Sequence, residues 1–395
     1  MSTSPRFDEH LDRWGTHSAK WDLLAADLGP DAICLSVADM ELRTAPCVSD
    51  AVIAAARHSN YGYTEIFDDF ADAAVFWQRS RHGWGIYRED VLFYPRVVQC
   101  VAALVNVVLA DRGTPPVVVT LDPAYGPLID VARASGARIR RVPLVFDAEG
   151  RAGLDVDSLD GAMNGADLLL WCNPHNPTGR VWASDELAAV ADIARARNVL
   201  ILSDDIHADF TRPGRAAYTP LASIAPDLYE DGRLVHCASP GKTFTTAGLE
   251  ATAILVRGET RRALEAAKRR MGLHNPTYFA VPAAIAAWTQ GGPWVDELVA
   301  FIDANLTRAV ARLREGLPGA TVTDPDGTYL IWVSAPGLIV GDNHLADIRA
   351  RSRVAVSPGI DFGPSWDRCF RINTALPTRE LDAGLDRLIT AITTR

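Results

Sequence analysis

Residues 166–209 read ADLLLWCNPHNPTGRVWASDELAAVADIARARNVLILSDDIHAD. An apolar run, Ala166–Cys172, stops at a loop that carries two prolines and a glycine between Asn173 and Gly179. A helical pattern follows over Ser184–Arg197, with apolar residues three and four apart. A second apolar run, Val199–Ser203, then ends in Asp204-Asp205-Ile206-His207-Ala208-Asp209. Neither run alternates between apolar and polar, which is the pattern of strands covered on both faces of a mostly parallel sheet. Strand, helix and strand in that order predict a crossover unit of an α/β fold.

The same texture extends outward. Pro116–Leu121, Leu234–Ala238 and Ala253–Val256 are further strand candidates, separated by alanine-rich helical segments. They predict a large domain over residues 50–290, a mostly parallel sheet flanked by helices. Beyond residue 290 the pattern changes. Trp294–Leu317 reads as one long helix with an apolar stripe, followed by strand candidates Thr321–Thr323, Tyr329–Val333, Val354–Val356 and Phe370–Ile372 and a last helix, Thr378–Thr393. That order predicts a smaller α+β domain built from residues 1–49 and 291–395.

Composition narrows the function. With 39 Lys and Arg against 49 Asp and Glu, the net charge is −10 over 395 residues, so no basic excess exists to displace counterions from nucleic acid. No apolar run is long enough for a membrane span, and the polar N-terminus lacks the apolar core of a signal peptide, which points to the cytoplasm. Six scattered cysteines form no CxxC pair and read as reduced thiols. The nine histidines include no HExxH group, so no metal site is expected.

Open parallel sheets bind ligands beyond the carboxyl ends of their strands. Three such ends carry polar residues here. Asn176, in the Asn-Pro-Thr-Gly loop, could present its amide to a ligand or simply close an Asx turn. The acids after Ser203, with His207, exceed what a turn needs. Leu234–Ala238 runs into Ser239-Pro240-Gly241-Lys242-Thr243-Phe244. A single lysine is usually a solvated charge, but one at the end of a buried strand before a small and apolar run is set up for desolvation and reactivity.

In order and spacing, these three signals resemble the pyridoxal-phosphate (PLP) enzymes of fold type I, the aspartate-aminotransferase superfamily. The resemblance narrows to the MalY/PatB-type cystathionine β-lyases through Arg13-Trp14-Gly15-Thr16, Lys20-Trp21-Asp22, Val37-Ala38-Asp39-Met40, Tyr61-Gly62-Tyr63 and Arg81-His82-Gly83-Trp84. Trp171–Arg180, Ser203–Asp209, Gly327-Thr328-Tyr329-Leu330 and Phe370-Arg371-Ile372-Asn373 complete the set.

The resemblance implies roles. Lys242 would hold PLP covalently through its amine and then take the substrate's Cα proton. Asp204 would pair with the pyridine nitrogen, and Asn176 would bond the phenolic oxygen with His207 beside it. Tyr125 would stack on the ring. Ser239 and the backbone amides at Val97 and Val98 would hold the phosphate. Tyr61 would reach the phosphate of a neighbouring subunit, which implies a homodimer. Arg371 would grip the substrate's α-carboxylate, with Ser36 and Asn176 near the substrate.

The chain also departs from that pattern. Arg96 stands where relatives carry glycine, Gly241 where serine precedes the lysine, and Thr245 where asparagine follows phenylalanine. Glu250 occupies the position of a phosphate-binding arginine, where an acid would repel the phosphate unless turned away and Arg96 could supply the missing charge. Ser36 replaces a tryptophan at the substrate mouth. The implied reaction is α,β-elimination from cystathionine or another cysteine S-conjugate. An aminotransferase would use the same lysine and acid, and the departures keep open a biosynthetic enzyme that couples decarboxylation to oxidative deamination of an S-conjugated amino acid. MalY-type proteins can also be partners of transcription factors, but no feature of this sequence supports such a surface.

Overall fold

The five apolar runs, joined by two edge strands not expected from the sequence, form one seven-stranded sheet: β1 Val91–Tyr94, β2 Val117–Asp122, β3 Arg138–Pro143, β4 Leu168–Cys172, β5 Leu200–Asp204, β6 Leu234–Ala238 and β7 Thr252–Leu255. This computed structural model describes residues 7–110, 114–340 and 344–394, so the first six residues of the polar N-terminus lie outside the described residues. The strand order is β1-β7-β6-β5-β4-β2-β3. All neighbours are parallel except β7, which runs against both β6 and β1. Leu168, Leu169, Ile201, Leu202, Leu234 and Val235 are fully buried, as continuous apolar runs between helical layers require. Among the described residues, no helix is long and apolar enough to cross a membrane.

The crossover helix Ser184–Arg197 starts where Glu186 accepts from the Ala183 amide at 2.8 Å and stops at Asn198, which takes the left-handed conformation at φ 54°. The long helix Gly292–Gly316 buries Leu298, Phe301, Ile302, Leu306, Val310 and Leu313 along one stripe. Beyond it lies the smaller sheet, with β8 Thr321–Val322, β9 Leu330–Ser334, β10 Ser357–Pro358 and β11 Cys369–Asn373 in the order β8-β9-β11-β10, all antiparallel. The N-terminal segment Ile33–Cys34 pairs in parallel with Val354–Ala355, which ties the start of the chain to this smaller unit.

Register sets the site. Cys172 pairs with Asp204, and Asp204 with Cys237, so β4, β5 and β6 end level with one another. The three loops singled out in the sequence therefore leave the sheet side by side.

Candidate active site

A cavity of about 660 Å³ opens at those strand ends. Its wall brings together Ser36, Tyr125, Asn176, Asp204, His207, Lys242 and Arg371, from separate stretches of chain. Asp204, His207, Asn176, Arg371 and Ser36 are each at least nine-tenths buried, whereas Tyr125 is 36% exposed toward the opening.

Lys242 sits in the short helix Pro240–Thr243, which begins where the Ser239 hydroxyl accepts from the Gly241 amide at 3.1 Å. Its Nζ donates to the Ala38 carbonyl at 2.7 Å. Desolvation, with Arg371 and Arg96 adding repulsion against the pull of Asp39 and Asp204, lowers the amine to about 8. A sizeable neutral fraction near neutral pH is what a lysine needs to act as nucleophile or base. Beside it, Thr243 donates to Asp209 at 2.6 Å, and Asp209 also takes the Trp77 indole and lies 3.1 Å from His82 Nε2. The Arg81–Trp84 and Ser203–Asp209 motifs thus meet behind the lysine turn and hold it.

Asp204 has the opposite problem. Burial, reinforced by the neighbouring Asp205 carboxylate, raises its carboxyl to about 7, and its Oδ1 is buried with no hydrogen-bond partner. A buried carboxylate is stable only beside a cation or donors. His207 is also sealed in, with both ring nitrogens unpartnered, and burial together with Lys242 and Arg371 holds it neutral. These orphaned groups fit a ring with a protonated nitrogen facing Asp204 and a polar edge facing Asn176 and His207, which is the form of PLP.

Arg371, on β11, donates from Nη1 to Asn176 Oδ1 at 2.7 Å and from Nη2 to Ser357 Oγ at 3.2 Å. Its Nε is buried without a partner, and its guanidinium lies 4.7 Å over the Phe362 ring. Opposite, Val37 sits at φ 57°, a conformation a β-branched residue enters at a cost of about 1–3 kcal/mol. Asn373 secures it by donating to the Val37 and Asp39 carbonyls at 3.0 and 2.7 Å. The motif residues Arg13, Lys20 and Trp21 converge on Glu41 just beyond, with Lys20 Nζ 2.6 Å from its carboxylate. They hold the wall and do not line the cavity.

Four expected site residues are not part of that cavity's lining. Val97 and Val98 open the helix Val97–Ala103, outside the cavity lining. Ser239 caps its own helix and donates to the Ala251 carbonyl at 2.6 Å. Tyr61 is 57% exposed, donates to the Ala56 carbonyl at 2.8 Å and packs edge-on against Tyr278. Arg96 and Glu250, two of the departures from the expected pattern, form an ion pair with each other. The acid is therefore neutralised by the arginine. Of the tryptophans, Trp84 and Trp332 are buried in packing roles. Sequence reasoning misses Ser357, Phe362, Asp130 and Asp361, all of which line the cavity as single residues with no signal of their own, whereas Val37 lines it from within the quoted Val37–Met40 motif.

The chain belongs to the aminotransferase class I and II family, whose model matches residues 30–388. Among curated proteins it is 34% identical to cystathionine beta-lyase PatB of Bacillus subtilis, over 98% of this chain and 99% of that one. It is 30% identical to protein MalY of Escherichia coli, over 98% of each. Among solved structures, the PLP-bound C-S lyase from Staphylococcus hominis superposes with a TM-score of 0.90 at 26% identity, covering 98% of both chains.

Proposed function

We propose that this chain is a PLP-dependent C–S β-lyase that acts on cystathionine or another cysteine S-conjugate, releasing a thiol, pyruvate and ammonia. The observation that carries the reading is the convergence of Lys242, Asp204 and Arg371 on one cavity at the strand ends. PLP, when bound, supplies an electron sink for the pair left on Cα after its proton departs.

The protein residues do the rest. Asp204 would be ionised beside a cationic ring nitrogen and would keep the proton on it. Asn176 would bond the phenolic oxygen with His207 beside it, and Tyr125 would stack on the ring. Arg371 fixes the substrate's carboxylate, and with it which Cα bond is presented for cleavage. Lys242 Nζ, with its lowered affinity for protons, removes the Cα proton. The Cα–H and Cβ–S bonds break, a Cα–Cβ double bond forms, and the sulfur leaves as thiolate. The released enamine hydrolyses to pyruvate and ammonia.

We assign the phosphate to Ser239 and the first-turn amides at Val97 and Val98, where helix N-termini favour anions. The exposed Tyr61, Tyr63 and Phe67 support a homodimer in which Tyr61 completes the partner's phosphate site. We divide the chain into a PLP-binding domain, residues 50–290, and a small domain, residues 1–49 with 291–395. Six free cysteines suit the cytoplasm.

The test is product identity. Purified protein with PLP and several cysteine S-conjugates should yield pyruvate and thiol by mass spectrometry. A keto acid retaining the sulfur would make it an aminotransferase. An aldehyde with carbon dioxide would make it a decarboxylating oxidative deaminase.

A further inference from the structure

Three segments meet beside the lysine turn. β1 ends at Tyr94, which pairs with Thr252 at the start of β7, and the Thr252 hydroxyl donates to the Pro95 carbonyl at 3.3 Å. From the β6 side, the Ser239 hydroxyl donates to the Ala251 carbonyl at 2.6 Å and accepts from the Gly241 amide at 3.1 Å. Residues 94–97, 239–242 and 250–252 are therefore neighbours, and the junction sits just outside the cavity lining.

Its side chains are charged. Arg96 stands immediately before the helix Val97–Ala103, and its Nη2 donates to Glu250 Oε1 at 2.5 Å. Among the described residues Arg96 makes no other side-chain hydrogen bond, which leaves the rest of its N–H fork open to a ligand. Its charge reaches into the cavity. Burial, with Arg371 and Arg96, lowers the Lys242 amine, and at Tyr125, where burial raises the phenol, the same two arginines oppose it. Both of those residues line the cavity from which the cofactor's phosphate would project.

We propose that Arg96 supplies the cation for the cofactor's phosphate, and that Glu250 shares this arginine and weakens its hold. The inference rests on the phosphate placement at Ser239 given above and is independent of which substrate bond then breaks. A dianionic phosphate beside Ser239 takes parallel N–H bonds from a guanidinium. Glu250 acts against it twice, by competing for Arg96 and by placing like charge beside the phosphate. Arg96 and Glu250 are 55% and 28% exposed, so solvent screens both effects and their size stays moderate.

The full chain, freed of cofactor, is titrated with PLP and with pyridoxal, which lacks the phosphate. Both react with the same lysine, so the ratio of their Kd values isolates what the phosphate contributes. Arg96→Gln should lower the preference for PLP about tenfold and leave pyridoxal binding within about twofold. Glu250 holds φ 60°, and Glu250→Gln keeps that backbone and an acceptor for Arg96 while removing the charge, so it should raise the preference about threefold. Ser239→Ala should lower the preference whether or not Arg96 takes part. If Ser239→Ala does so and Arg96→Gln leaves the preference unchanged, or weakens PLP and pyridoxal in parallel, the arginine's role is overturned alone. A preference unchanged or lowered in Glu250→Gln would overturn the role of the acid. Equal binding of PLP and pyridoxal by the wild-type chain, or no effect of Ser239→Ala, would defeat the phosphate placement and the inference with it.

Discussion

Replacing Arg371 by lysine keeps the charge and removes the fork. In the wild-type chain Nη1 and Nη2 each spend one N–H on Asn176 and Ser357, which leaves the buried Nε and the second N–H of Nη2 as a fork for an incoming carboxylate. Burial pushes the guanidinium down to about 10, so it stays charged at neutral pH. A lysine ammonium at the same site can give the carboxylate one of the two charged hydrogen bonds. Each such bond contributes about 1.5–3 kcal/mol, so Arg371→Lys should lose roughly ten- to a hundredfold in kcat/KM. A lysine also leaves Asn176 Oδ1 without its donor, which loosens a residue on the cofactor side. The assay is initial-rate thiol release across a series of S-conjugates, with thermal unfolding run beside it to confirm that the variant folds. If Arg371→Lys and Arg371→Ala both match wild type on every accepted substrate, Arg371 does not hold the carboxylate.

Other residues give sharper single tests. Asp204→Asn should reduce turnover by about a hundredfold or more, because the ring nitrogen loses the carboxylate that keeps it protonated, and unchanged kinetics would mean the strand-end acid is misassigned. The same carboxyl makes the apoprotein pH-sensitive. Its folded value is raised to about 7, so between its unfolded value of 3.8 and 7 the folded state binds the extra proton, and stability falls as pH rises through that window. Apo Asp204→Asn should lack this component, and identical pH profiles for the two apoproteins would contradict it. PLP uptake by the apoprotein should quicken as pH rises through about 8, where the Lys242 amine loses its proton, and Lys242→Ala should leave no borohydride-fixed cofactor. Label persisting on another lysine would refute that assignment. Tyr61→Phe should weaken PLP retention in a protein that sediments as a dimer, and a fully active monomer would be inconsistent with the shared site.

Much of the fold is legible in the amino-acid order. β6 and the helices Ser184–Arg197 and Thr378–Thr393 fall on their predicted residues, because buried apolar runs and helical spacing are strong local signals. β3 escapes such a reading because Arg138, Arg140 and Arg141 hide a strand at the sheet's edge. There Arg140 reaches the Ala162 and Asn164 carbonyls and Arg141 reaches Asp122. β1 escapes it as well, a four-residue strand at the other edge. The inner site is readable because most of its residues follow the end of a buried strand. The outer wall is not. Asp130, Ser357 and Asp361 carry no local signal, and it is the docking of the Gly359–Phe362 turn against Gly126 that sets Asp361 in the cavity wall. Arg96 and Glu250 are two separate anomalies along the chain and become one ion pair only in three dimensions.

Elimination needs no amino acceptor, whereas transamination stops after one turnover unless a keto acid restores the cofactor. The most direct measurement is therefore prolonged incubation of holoenzyme with one S-conjugate and no added keto acid, counting pyruvate, ammonia and thiol against enzyme. The lyase account predicts many equivalents of all three in equal amounts, with the cofactor spectrum intact. A single equivalent of sulfur-bearing keto acid, with the cofactor left in its amine form until a keto acid is added, would contradict it.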